Sequence, residues 1–320
     1  MKLLIALDRE HHVLGMDDKN LEKIKQELPN ESIVIATTKE DVEKEIIDAE
    51  ALLTSPDLYP GIVNAEKLKW IHTLSAGVDS FITEDLKKSN IILSNSSGTH
   101  IIPMGEYAIA VMLTFEKGLN HTVRNQTKKN WNKTYFTGEL RNKTIGIIGM
   151  GRIGTEIAKL SKAMGMNVLA TRRENTEKPE FVSELFINDT DSLLEKSDYV
   201  ISVLPGTKEN TKIINENTFK KMKNTARFIS MGRGTVVDEA ALINALQNKE
   251  IAGAGMDVFE AEPLPESSPL WEMENVIITP HNSSWSSNYM TRMTEIFLKN
   301  LKAFVNNEEL PNLVDKERGY

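Results

Sequence analysis

The sequence predicts an α/β protein made of two doubly wound parallel-sheet domains, and three observations predict it. Short apolar runs alternate with amphipathic helical stretches through the first hundred residues, a βαβ rhythm that needs a parallel sheet. The rhythm resumes in the second half. Between the halves an apolar run, Ile145 to Ile148, feeds directly into Gly149-Met150-Gly151-Arg152-Ile153-Gly154, the G-x-G-x-x-G spacing of a dinucleotide-binding turn. At 320 residues the chain is long enough for two cores.

In chain order, Leu3 to Leu7, Ile33 to Ala36, Ala51 to Leu53, Trp70 to Leu74 and Ile91 to Leu93 read as strands. Lys19 to Glu27 and Lys39 to Asp48 read as helices between them. Pro103 to Glu116 reads as a long apolar helix. Gly118 to Leu140 reads as a polar, irregular excursion anchored by Trp131, Tyr135 and Phe136. After the glycine turn, Ile153, Ile157, Leu160 and Met164 recur at helical spacing and predict a stripe facing the sheet. Gly165 stops that helix, and Asn167 to Thr171 reads as the next strand. Further strands follow at Tyr199 to Leu204, Arg227 to Met231, Gly253 to Val258 and Val276 to Thr279. Ser287 to Val305 carries Met290, Met293, Ile296, Phe297, Leu301 and Phe304 at helical spacing, a packing helix that most simply returns to the first domain.

The glycine turn works only when a strand feeds it and a helix leaves it, and both are present here. Gly149 makes the turn, Gly151 lets the backbone approach a pyrophosphate, and Gly154 allows close packing of helix on strand. The helix N-terminus then faces the phosphates with unused N–H groups. About 20 residues past the first glycine an acid normally bonds the adenosine ribose. This chain has Thr171-Arg172-Arg173 there, and a guanidinium fork suits a 2′-phosphate. NADP is therefore favoured over NAD, with NAD possible. As a plain strand end, the two arginines would be neutralised by Glu174.

Composition removes several classes. The net charge of −8 and the lack of long basic runs argue against nucleic acid as a partner. The chain has no cysteine, so disulfides, thiolate nucleophiles and cysteine metal sites are excluded, and no metal site is expected. No segment reaches membrane-span length, and Met1 to Leu7 meets Asp8-Arg9-Glu10 too soon for a signal peptide. A cytoplasmic protein with no membrane partner is the default expectation.

In open α/β sheets ligands sit beyond the carboxyl ends of the strands. Following the second half's strands outward gives Pro205-Gly206-Thr207, Gly232-Arg233-Gly234, Asp257 to Pro263 and Pro280-His281-Asn282. A dehydrogenase acting on a 2-keto acid needs a cation for the carboxylate and carbonyl, and a proton donor for the oxygen that becomes hydroxyl. Arg233 can supply the first and His281 the second, with Glu262 holding the imidazolium by a charge-assisted bond and favouring the donor form. Singly, each has a structural alternative: a bonded histidine, a loop-anchoring arginine, a solvated acid. Together at successive strand ends they define a chemistry.

These residues, with Ser75-Ala76-Gly77-Val78-Asp79, Asn95, Gly98, Gly105-Glu106-Tyr107-Ala108, Trp131, Glu139-Leu140, Met231, Asp238, Asp257-Val258-Phe259-Glu260-Ala261-Glu262-Pro263 and Thr279-Pro280-His281, give the chain its resemblance. It resembles the D-isomer-specific 2-hydroxyacid dehydrogenase family over nearly its whole length. That group includes glyoxylate and hydroxypyruvate reductases, D-lactate dehydrogenase and phosphoglycerate dehydrogenase. The resemblance implies that Arg233, Glu262 and His281 are catalytic. It implies that backbone amides around Ala76, Gly77 and Val78 hold the substrate carboxylate, beside Arg233 and His281. It also implies that Gly149, Gly151, Arg152, Ile153, Gly154, Thr171, Arg172, Arg173, Pro205, Thr211, Met231, Gly232 and His281 line the cofactor, with Asp257 near the nicotinamide amide. The implied architecture is a flavodoxin-like, discontinuous substrate domain of residues 1–100 and 286–320 closing on a Rossmann cofactor domain of residues 101–285. A homodimer through the cofactor domains follows, with Gly118 to Leu140 as the exchanged arm.

Three departures limit what carries over. The ribose acid is replaced by Thr171-Arg172-Arg173, Ser230-Met231-Gly232 precedes Arg233, and Asn282-Ser283-Ser284-Trp285 follows His281. Trp285 either walls the substrate pocket or packs between domains. The chain ends without an appended regulatory domain, which weakens phosphoglycerate as substrate. The expectation is an NADPH-preferring reductase of a small 2-keto acid, glyoxylate or hydroxypyruvate, giving the D-product. The alternatives are another acid dehydrogenase on the same fold (phosphoglycerate, formate or phosphite) and a dinucleotide-sensing dimeric scaffold without turnover. An intact Arg233, Glu262 and His281 set speaks against the scaffold, since a sensor needs no proton donor.

Overall fold

The computed structural model describes residues 1–7, 16–134, 137–174 and 177–319. The chain divides into two compact units, Met1–His100 with Trp285–Tyr320, and Ile101–Ser284. Trp285 thus belongs to the first unit, one residue before the expected boundary at 286.

The first unit begins with β1 (Lys2–Ala6), α1 (Asp18–Glu27), β2 (Ser32–Ala36), α2 (Lys39–Glu45), β3 (Ala51–Thr54), β4 (Trp70–Thr73), α3 (Glu84–Lys88) and β5 (Ile92–Asn95). Its helices start where short polar side chains accept the first orphan N–H groups: Asp17 takes the N–H of Asn20, Thr38 that of Asp41 and Thr83 that of Leu86. All five strands pair in parallel in the order β2-β1-β3-β4-β5, the flavodoxin-like order. Successive side chains alternate between faces, and both faces are covered. Leu3, Ile5, Leu53 and Trp70 enter one core, while Leu4, Ala6, Leu52 and Ile71 enter the other. That double burial is why these strands read as unbroken apolar runs.

The second unit runs α4 (Ile101–Glu116), α5 (Leu119–Thr127), β6 (Thr144–Ile148), α6 (Arg152–Ala163), β7 (Asn167–Arg172), β8 (Glu184–Ile187), α7 (Asp191–Lys196), β9 (Tyr199–Ser202), α8 (Glu216–Lys221), β10 (Arg227–Ser230), α9 (Glu239–Gln247), β11 (Gly253–Met256) and β12 (Val276–Ile278). Its seven strands are parallel in the order β12-β11-β10-β9-β6-β7-β8. Counted from β6, this is the Rossmann order with one strand added, and the order reverses between β6 and β9. Met104, Ala108 and Met112 of α4 share one core with Ile157 of α6 and Ile145 of β6. Phe219 and Leu242 cover the other face against Val200, Phe228 and Ala254. Finally α10 (Tyr289–Val305) returns to the first unit, where Met293, Phe297 and Leu301 pack with Leu3, Ile5 and Trp70.

Several expectations need correction. Strands β9, β10, β11 and β12 end one or two residues before the apolar runs do, so the expected site residues lie on loops. Strand β8 was not anticipated: it is an edge strand with no fully buried residue, and its sequence carries little alternation. Met164 caps α6 instead of facing the sheet and is 39% exposed. The excursion after Gly118 is partly helical, as α5, and Trp131 does not anchor it, being 89% exposed. Tyr135 and Phe136 lie outside the described residues. Among the described residues no helix is long and apolar enough to cross a membrane.

Candidate active site

Gly149 leaves β6 with φ +102°, a left-handed turn that suits glycine. A Cβ on Gly154 would lie 2.4 Å from the Gly149 carbonyl oxygen, so the first turn of α6 can close on the loop only as glycine. Gly151 is different. A Cβ there would meet nothing within 4 Å, so the chain's own packing does not require a glycine, whereas a closely approaching ligand does. No side chain caps α6, and the Thr155 N–H donates to the Gly151 carbonyl where the helix starts. Among the described residues the amides of Ile153 and Gly154 have no acceptor, which suits an anion. The residues fit a dinucleotide pyrophosphate.

At the end of β7 the two arginines are held differently. Arg172 Nε donates to the Met150 carbonyl at 3.1 Å, tying that guanidinium to the glycine loop. Arg173 donates to Asn210 Oδ1, and the Asn210 amide donates to the Pro205 carbonyl at 2.9 Å. Asn210, buried in the short 3-10 turn Lys208–Asn210, was not anticipated, because a single Asn in a polar loop carries no pattern. It links the Arg173 corner to the loop after β9.

The loop after β10 is wedged between neighbours. A Cβ on Gly232 would lie 2.3 Å from the Leu204 carbonyl oxygen, and one on Gly234 would lie 1.7 Å from that of Phe259. Both flanking positions are closed to larger residues, which fixes the backbone that presents Arg233. Its stem lies over Gly206, and its Nη1 donates to the Gly232 carbonyl at 3.0 Å.

Glu262 and His281 meet. His281 Nδ1 lies 2.7 Å from Glu262 Oε2, and Glu262 Oε1 accepts the Phe259 N–H at 3.0 Å. The carboxylate is thus aimed from behind by its own loop, leaving Nε2 as the imidazole's other proton-carrying atom. His281 has φ +50°, uncommon for a non-glycine residue and stable only where the surroundings impose it. What imposes it is Asp257, 1% exposed. Its carbonyl accepts the His281 N–H, and its carboxylate accepts the N–H groups of Asn282 and Ser283 and the Thr279 hydroxyl. Thr279 in turn meets the Tyr107 hydroxyl at 2.6 Å.

In the first unit, the carbonyls of the turn after β4 are occupied. The Ala76 carbonyl is taken by the Asn95 amide, the Gly77 carbonyl by the Ser75 hydroxyl, and the Val78 carbonyl by the N–H groups of Phe81 and Ile82. Among the described residues the N–H groups of Ala76, Gly77 and Val78 have no acceptor. Consecutive unused amides of this kind suit a carboxylate.

Of the remaining expected residues, Thr171 is buried at the end of β7, and Thr211 is exposed with its hydroxyl on the Thr207 carbonyl. Met231 is buried in the core beneath the sheet edge, so only its backbone is available there. Trp285 is 55% exposed. Among the described residues no group of three or more His, Asp or Glu is placed to hold a metal ion.

A Rossmann sheet with an uncapped glycine loop at its switch point and a carboxylate-held histidine on the same edge defines a nicotinamide-dependent dehydrogenase. Residues 109–283 match the family described as D-isomer specific 2-hydroxyacid dehydrogenase, NAD binding domain. A glyoxylate reductase of Thermofilum pendens is 36% identical over 294 residues, covering 88% of this chain and 85% of that one. Among solved structures, a D-isomer specific 2-hydroxyacid dehydrogenase family protein of Aeromonas salmonicida superposes with a TM-score of 0.87 at 30% identity, covering 98% of this chain and 99% of that one. The NADPH-dependent glyoxylate/hydroxypyruvate reductase of Sinorhizobium meliloti, in complex with NADP and sulfate, gives a TM-score of 0.82 at 25% identity, with 100% of each chain covered. The chain belongs to the D-isomer specific 2-hydroxyacid dehydrogenase family, and it is an oxidoreductase acting on the CH–OH group of a hydroxy acid with NAD(P).

Proposed function

We propose that this enzyme is an NADPH-preferring reductase of a small 2-keto acid, glyoxylate or hydroxypyruvate, yielding the D-hydroxy acid where the product is chiral. The observation that carries it is the 2.7 Å contact of His281 Nδ1 with Glu262, which holds the ring so that Nε2 can donate. A bound nicotinamide supplies the hydride. His281 holds the proton at Nε2 and releases it to the oxygen that becomes hydroxyl, while Glu262 accepts the Nδ1–H and stabilises the imidazolium beforehand. Arg233 offsets negative charge on the substrate's keto oxygen and carboxylate. The amides of Ala76, Gly77 and Val78 take the carboxylate. Thr171, Arg172 and Arg173 support the NADP preference, as does the NADP-bound relative.

The test is the initial rate of NADPH and NADH oxidation with glyoxylate, hydroxypyruvate, pyruvate and bulkier 2-keto acids. NADPH with a small acid is expected to be fastest, and His281→Ala to lower kcat about 10²- to 10⁴-fold. Cofactor binding without turnover by any acid would favour a scaffold instead. Arg172→Ala with Arg173→Ala is expected to weaken NADPH about tenfold or more while sparing NADH, since only the 2′-phosphate loses charge-assisted bonds. Equal loss of both cofactors would refute the assignment.

We further propose a homodimer through the second unit. Exposed Leu119 and Val123 on α5, with Trp131 beyond it, form apolar surface on the arm that the resemblance assigns to exchange.

A further inference from the structure

We propose that Tyr107, on α4, is a positioning residue for His281, acting through Thr279 and Asp257. This rests on the reading of His281 as proton donor. The directions of the hydrogen bonds follow from the inventory of donors. The Thr279 hydroxyl donates to Asp257 Oδ1 at 2.6 Å and has only one hydrogen. The Tyr107 hydroxyl, 2.6 Å from the same oxygen, is therefore the donor in that pair. Burial pushes its phenol up to about 12, so it keeps its proton at neutral pH.

The relay ends on a carboxylate that builds the loop bearing His281. Asp257 takes three consecutive backbone N–H groups, His281 on its carbonyl and Asn282 and Ser283 on its carboxylate. A buried carboxylate is stable only when such donors saturate it. The left-handed His281 persists because these bonds over-determine it. Removing the phenolic hydrogen frees the Thr279 hydroxyl to turn away from Asp257, and the carboxylate loses a side-chain donor that helps the Asn282 and Ser283 N–H groups fix its rotation. The imidazole then samples orientations in which Nε2 is misdirected. Arg172 at the end of β7, Arg173 beyond it and the glycine loop after β6 lie elsewhere in the unit and are untouched.

The experiment compares wild type, Tyr107→Phe, Thr279→Val and the double variant, all as full-length enzyme. Tyr107→Phe is expected to lower kcat on the order of tenfold, as misplacement of a catalytic group does, and to change the NADPH Kd by much less. The double variant should be no slower than Thr279→Val, because residues in one network do not add. The His281 imidazole ¹⁵N resonances, assigned against His281→Asn, should shift in Tyr107→Phe. A folded Tyr107→Phe with wild-type kcat and unshifted resonances overturns the proposal. So does a strictly additive double variant, which would mean that the two hydroxyls act separately. Full turnover by His281→Ala would instead refute the proton-donor reading beneath it, and the resonances would still report whether Tyr107 orients the ring.

Discussion

His72, fully buried in β4, shows how one proton can be written into a fold. Trp70 Nε1 donates to Ser94 Oγ, and the imidazole lies between Ser94 at 2.7 Å and Ser96 at 3.2 Å. Ser96 donates onward to the Thr73 carbonyl. Each hydroxyl has one hydrogen, so Ser94 donates to Nδ1 and the Nε2–H donates to Ser96. Only the neutral ring completes this chain, and burial lowers its pKa to about 3. The unfolded ring takes a proton near 6.5. Protons therefore favour the unfolded state between those values: the stability His72 contributes is present above pH 6.5 and is lost progressively as the pH falls toward 3. Urea unfolding between about pH 6.5 and 5, above most carboxylate titration, should show up to about 1.4 kcal/mol lost per pH unit. A flat profile there would exclude the neutral network. The sequence shows a histidine within a strand and nothing of this, since its partners come from the next strand.

The positions of the proposed catalytic residues are readable for the opposite reason. Arg233, Glu262 and His281 each sit just past the end of an apolar run, where parallel strands must deliver them to one edge. Tyr107 and Asn210 were not legible as partners, because one lies inside an apolar helix and the other in a loop, and each acts through a side chain far away in sequence. At the scale of the glycine loop, two substitutions separate ligand from packing. Gly151→Ala meets open space, so its melting temperature should stay near wild type while dinucleotide affinity falls about tenfold or more, the methyl group occupying the path of the pyrophosphate. Gly234→Ala drives a Cβ into the Phe259 carbonyl, and should destabilise the whole unit by about 1–3 kcal/mol. Calorimetry with and without NADPH distinguishes the two. A strongly destabilised Gly151→Ala would mean that the loop's own geometry sets the requirement.

Across the whole molecule, the parallel, doubly wound class of both sheets is readable from strand runs in the sequence, while β8 and α5 were missed because short edge and surface elements bury too little to leave a pattern. Trp131, 89% exposed, is the residue on which the proposed dimer can be tested. If it is buried by a second copy, the melting temperature should rise with protein concentration, and Trp131→Glu should shift light scattering toward the mass of one chain, 36.0 kDa. A wild-type enzyme that is monomeric at all concentrations removes the dimer.

The return of α10 to the first unit has a consequence for birth at the ribosome. Phe297 and Leu301 share a core with Leu3 and Ile5, so the β1–β5 sheet cannot finish one of its faces until α10 has been made. The second unit ends at Ser284 and can close earlier, although its synthesis begins later. Domains that close as units during translation usually do so from the amino terminus. The shared core predicts the reverse order here: the nascent β1–β5 sheet keeps one apolar face uncovered until α10, which begins at Tyr289, has been made.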